Sequence, residues 1–139
     1  MVTWIERRGA RRFSWRGGDC VSFALGGVKA QTGVDLLADI PRWRSQRQAA
    51  RVVDTVGGLA EALDLRMDRV PTALAKRGDV AGIPDATFGV RLMLVEGRTL
   101  VGPGDSGLVR LDRSAMTIAW DAASARRVAV SPAQLDRQP

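Results

Sequence analysis

FSWRGGDCVSFALGGVKAQTG, residues 13–33, holds the one cysteine of the chain and decides how the rest is read. Gly17 and Gly18 allow a tight turn that a Cβ would resist. Asp19 suits a helix N-cap, which puts Cys20 at the first helical position. Val21, Ala24, Leu25 and Val28 recur at three- and four-residue spacing, with Phe23 beside them, as a buried helix face does. Gly26 and Gly27 are poor helix residues, so they read as places where another element comes close. Thr32 and Gly33 end the helix. A thiol displayed at a helix head after a turn is a common way to build a nucleophile, so the segment raises the prospect of an active site.

On the N-terminal side, Thr3 is a plausible cap for a short helix over 4–8, ended by Gly9. Residues 11–15 look extended, with Phe13 and Trp15 on one side. On the C-terminal side, VDLLADIPRW (34–43) predicts a short helical turn closed before Pro41. SQRQAARVVDTVGG (45–58) predicts a helix capped by Ser45. GLAEALDLR (58–66) predicts a third helix, with Leu59, Ala62, Leu63 and Leu65 as its apolar side. From Arg77 the period changes. GDVAGIP (78–84) predicts a short strand. An antiparallel meander follows, at about 88–95, 98–102, 107–111 and 116–120. ARRVAV adds a last strand near 126–130. Helices first and strands after predict an α+β fold, in one domain over 1–130. The polar tail 131–139 is expected to fray.

The composition excludes several classes. A chain of 139 residues can bury a real core. No apolar run approaches the ~18 residues a membrane span needs. No apolar region follows the basic start MVTWIERRGARR, so no signal peptide is expected. One cysteine rules out an internal disulfide and a multi-cysteine zinc site. With no histidine, metal ligands would have to be carboxylates, and none have calcium-loop spacing; no metal or cofactor is expected. The net charge is +6, almost wholly from arginine, since Lys29 and Lys76 are the only lysines. The excess reads as charge spread over solvated faces or as affinity for an anionic partner. The local cluster Arg7, Arg8, Arg11 and Arg12 is short, without interleaved aromatics or a DNA-binding motif, so nucleic acid is not the expected partner.

Cys20 has two opposed influences. The helix dipole and free backbone N–H groups favour thiolate, so a lowered pKa is expected; Asp19 works against it. Thiolate alone does not cleave amides, because the leaving amine needs an acid, usually histidine near neutral pH. Lys76 and Arg77 hold their protons too firmly for that role. Cys20 therefore reads as a small buried hydrophobe at the head of a core helix, a redox or binding thiol, or a nucleophile. GPGDSG (102–107) lacks the lysine of a phosphate loop and reads as a hairpin turn. GDSG around Ser106 has the letters of a serine-protease loop, empty without histidine. Asp79 after Gly78 reads as the end or cap of a strand turn. Trp15, Trp43 and Trp120 read as core or interface anchors.

The segment 13–33 is similar to the aromatic-x-W-G-x-x-D-C stretch of a phage-encoded, tail-associated family of unknown function. That family resembles the NlpC-type cell-wall cysteine peptidases, a papain-like α+β fold. The similarity continues through TGVD (32–35), PRWRSQRQAARVV (41–53), KRGDVAGI (76–83) and IAW (118–120), covering about residues 2–121. It implies that Cys20 occupies the nucleophile position. It places the catalytic histidine of the active relatives near Phe88 or Gly89, where this chain has none, nor a polar third member after it. The resemblance therefore implies a vestigial Cys20 and no active catalytic residue. The expected function is a non-catalytic structural or assembly component of a phage or phage-derived particle tail. The protein would be made in the bacterial cytoplasm and located in the particle, with other tail or tail-tip proteins as partners. The alternative is a peptidoglycan-cleaving cysteine peptidase or amidase with Cys20 as nucleophile and an acid-base group supplied by a partner.

Overall fold

The structure, a computed structural model, describes residue 1, residues 4–6 and residues 19–128. The Thr3 cap, the arginines at 7–12, the extended stretch 11–15, the Gly17–Gly18 turn, positions 129–130 and the tail 131–139 lie outside the described residues.

Helix α1 spans Cys20–Thr32. The Asp19 carboxylate accepts the Ser22 N–H at 3.0 Å and the Ser22 hydroxyl at 2.9 Å. At the far end Gly33 is left-handed, with φ 78°, and its N–H donates to Lys29 O. The two mid-helix glycines are points of close approach. A Cβ on Gly26 would overlap the Trp4 ring, and one on Gly27 would overlap Leu94. Trp4, in the helical turn at 4–6, donates its Nε1–H to the Phe23 carbonyl at 3.0 Å.

Residues 36–39 form the expected short turn before Pro41, with the Ala38 N–H donating to Asp35 O and the Ile40 N–H to Leu37 O, and do not extend into a helix. Asp35 accepts the Leu37 N–H at 3.0 Å, a local bond that competes with helix, and Leu36 is buried. Helix α2, Gln46–Thr55, begins as expected at Ser45, which accepts the Gln48 N–H; only Ala49 of this helix is buried. Helix α3 spans Leu59–Arg66 and buries Leu59, Ala62, Leu63 and Arg66. Leu65, expected on the apolar side, is 58% exposed. The i, i+3, i+4, i+7 stripe begun by Leu59 passes through residue 66, not 65.

The strands are β1 Val80–Asp85, β2 Gly89–Val95, β3 Thr99–Gly104, β4 Gly107–Asp112 and β5 Ile118–Trp120. They form an antiparallel sheet in the order β4-β3-β2-β1-β5. The mixed α+β architecture agrees with the sequence. The expected meander holds for β2 to β4, with β1 paired to β2 ahead of it, but not for β5, which lies beside β1 with Trp120 opposite Val80. The connection after β4 passes over the face of the sheet away from α1. There Met116 is buried with Ala81, Met93, Val95 and Leu100. Arg113 donates to the carbonyls of Gly97, Thr72 and Ala75, each at 2.9 Å. The opposite face carries Val80, Leu92, Leu94, Val101 and Trp120 against α1.

The 102–107 stretch is a hairpin turn, with Gly104 opposite Gly107. β3 runs on through Pro103 instead of ending at 102. Proline offers no N–H to a neighbouring strand, and pairing with β2 extends no further than Val101. Beyond it the Arg91 guanidinium donates to the Pro103 carbonyl at 2.8 Å. Residues 125–128 form no strand. The Arg126 N–H donates to Arg66 O and its guanidinium to Asp68, both at 2.9 Å, so this segment is tied to the end of α3. No helix among the described residues is long and apolar enough to cross a membrane.

Candidate functional site

The head of α1 places Cys20 against β2 and on the wall of a cavity of about 40 Å³. Leu25 of α1, Leu37, Ile40 and Trp43 of the following loop, Val52, Val53 and Val56 at α2, and Leu59 and Leu63 of α3 line it as well. Phe88, from the β1–β2 turn, lines it too. The cavity wall is mainly apolar, with Asp19 and Arg66 as its charged residues, and it is built from residues far apart in the chain.

Asp19 is 1% exposed. Besides capping α1 it accepts the Trp43 Nε1–H at 3.1 Å. That bond draws the 34–45 loop to the helix head, beside Cys20. Trp43 is a half-buried anchor, as the sequence suggested. Trp120 is the stronger one. It is fully buried, donates to Asp64 at 2.9 Å, and has the Arg69 guanidinium 5.3 Å from its ring centroid.

Burial pushes the Cys20 thiol up from 9.0 to about 11. The Leu92 backbone hydrogen bond and the Arg91 charge act the other way, while Asp19 and Asp85 add to the rise. This corrects the expectation of a lowered pKa. A helix N-terminus is worth a fraction of a kcal/mol to about 2, and desolvation outweighs it here. At neutral pH the thiolate fraction is on the order of 10⁻⁴. Cys20 behaves as a buried small hydrophobe.

Asp79, also 1% exposed, does more than finish a turn. It accepts the Lys76 N–H at 2.9 Å and the Ala122 N–H at 3.1 Å, with Lys76 Nζ at 3.4 Å. It thus ties the entry of β1 to the turn after β5. Lys76 is held cationic, its pKa raised first by the hydrogen bond to Asp121 and then by the charges of Asp79 and Asp121. Neither Asp79 nor Lys76 lines the Cys20 cavity. Among the described residues no group of His, Cys, Asp and Glu could hold a metal ion.

Sequence reasoning missed Arg66, which lines the cavity at 5% exposure. It donates to Ala62 O at 2.8 Å and to Asp39 at 3.2 Å, and its Nε has no hydrogen-bond partner among the described residues. The signal for it was its place on the apolar stripe of α3. Phe88 was noted only as a position lacking histidine.

Residues 1–122 match the model of a family described as a domain of unknown function, DUF6950, and the chain belongs to that family. No curated protein matches the chain.

Proposed function

We propose that this protein is a non-catalytic structural or assembly component of a phage or phage-derived particle tail, reusing a degenerate NlpC-type, papain-like fold. The observation that carries this reading is the state of Cys20. It sits at a helix head against a sheet, where a cysteine peptidase keeps its nucleophile, yet it is buried and its pKa is pushed up to about 11. Phe88, at the position where the resemblance calls for histidine, lines the same cavity with an apolar ring. The 139 residues contain no histidine to protonate a leaving amine. Loss of an acid-base partner costs a nucleophile several orders of magnitude in rate. The phage-type cysteine segment supports placing the protein in a particle tail.

The test is hydrolysis of purified peptidoglycan by the folded protein and by Cys20→Ser, alone and with its particle, alongside fractionation of assembled particles. The proposal expects no stem-peptide release in any arm and co-purification with particles or assembly intermediates. Cys20-dependent release would replace it with the peptidase reading and demand an acid-base group from a partner. A protein found free in the cytosol and absent from particles would remove the tail assignment.

A further inference from the structure

The cavity at Cys20 lies beside the most basic stretch among the described residues. Residues 41–53 carry Arg42, Arg44, Arg47 and Arg51 and no acidic residue. All four arginines are exposed, and none makes an ion pair among the described residues. Arg42 and Arg44 bracket Trp43, which lines the cavity. Helical spacing puts Arg47 and Arg51 on the outer side of α2, away from the lining residues Ala49, Val52 and Val53. Those two valines are only half-buried. An apolar recess thus opens beside a segment whose four exposed arginines make no ion pair among the described residues.

We propose that this recess docks an acidic segment of a partner protein, which inserts one aliphatic side chain into the cavity and sets carboxylates against Arg42 and Arg44. A volume of about 40 Å³ is several times what one water needs and takes the end of a leucine or isoleucine. Arginine favours carboxylates through paired, parallel hydrogen bonds. Nucleic acid fits less well: its backbone has nothing apolar to fill the recess, and bases stack on open aromatic faces. A membrane surface fits less well because the apolar side of α2 and its arginines face opposite ways. The docking rests on the non-catalytic reading only in treating the Cys20 recess as a surface for protein. Peptidoglycan hydrolysis tests that reading separately from the binding described here.

The probe is a displayed library of random twelve-residue peptides, panned on the full chain, with the best peptide then measured by fluorescence anisotropy. Enrichment of an aliphatic residue flanked by Asp and Glu is expected. Replacing that aliphatic residue by Ser should weaken binding roughly tenfold or more, as loss of a buried aliphatic side chain does. Arg42→Glu with Arg44→Glu should weaken it at least as much, and Arg47→Glu with Arg51→Glu less, because the first pair flanks the lining residue Trp43 and the second is on the outer side of α2. All four positions are exposed, and circular dichroism checks the fold. The proposal is overturned if no such motif is enriched, if Ser is tolerated, or if the two arginine pairs act equally. Preference for a dT₁₂ oligonucleotide or phosphatidylglycerol vesicles would also overturn it, as would self-association dissolved by Arg42→Glu/Arg44→Glu, which would assign the recess to a second copy.

Discussion

The sheet half and the α2 segment use arginine in opposite ways. Around the sheet, Arg69 pairs with Asp64, Arg110 with Glu96 and Arg126 with Asp68. Arg91 and Arg113 donate to backbone carbonyls that no strand partner reaches. There the guanidinium fork acts as a structural tie. Along residues 41–53, four exposed arginines make no ion pair among the described residues. The same residue type thus supplies several ties around the sheet, although the exposed Arg77, Arg98 and Arg127 make no ion pair among the described residues there either, and along residues 41–53 supplies none. The buried side chains divide likewise. Trp120 ties β5 to Asp64 of α3, and Asp79 ties the entry of β1 to the turn after β5, whereas α2 buries Ala49 alone.

Trp120→Ala should break the sheet half most severely, by about 3–5 kcal/mol, because it empties the core and strips Asp64 and Arg69 of a shared partner. A shift of the urea midpoint measures it, and a loss under about 1 kcal/mol would contradict the assigned role. The second test titrates the helix head. In the unfolded chain the thiol ionises near its ordinary 9, and in the folded chain near 11. Between those values the native state keeps a proton that the unfolded state has released. The Cys20 contribution is therefore fully present below pH 9 and falls as pH rises toward 11. Relative to Cys20→Ala, the unaltered protein should lose on the order of 2–3 kcal/mol over that window. Parallel pH profiles of the two proteins would refute the raised pKa.

A smaller effect is expected of Trp43→Phe. It removes one of the bonds to the Asp19 carboxylate and should cost about 1 kcal/mol. It should also loosen the loop over the helix head, so that labelling of Cys20 by a disulfide reagent speeds up; an unchanged rate would mean that Trp43 does not shield the thiol. The smallest change is Arg47→Ala, expected within about 0.5 kcal/mol. Relief of like-charge repulsion with Arg51 at i, i+4 should make it neutral or slightly stabilising. A loss well above that, seen in thermal melts, would show that this arginine is a tie after all and collapse the contrast.

Much of this was legible in the chain. The α1 boundaries, the Ser45 cap, the third helix and the first four strands follow from caps, glycines and apolar period, which are local signals. Gly26 and Gly27 announced close neighbours, though not that Trp4 and Leu94 would be those neighbours. One departure is local: Leu65 sits among apolar neighbours, but the helical stripe passes on to Arg66. The others are non-local. β5 was placed after β4, because sequence order is the default and nothing local shows a chain crossing to the far edge. The thiol was expected to ionise more readily because its helix position could be read and its burial could not.

The sequence by itself determined the α+β order of elements, the placement of Cys20 at a helix head, and the lack of histidine chemistry, since each is a matter of residue identity and short-range period. Tertiary structure alone decided that Cys20 is buried on the wall of a cavity it shares with Trp43 and Phe88, that Asp79 and Arg113 bind distant backbone, and that the arginines of residues 41–53 make no ion pair among the described residues. Those facts depend on which distant surfaces meet, and on the water they exclude when they do.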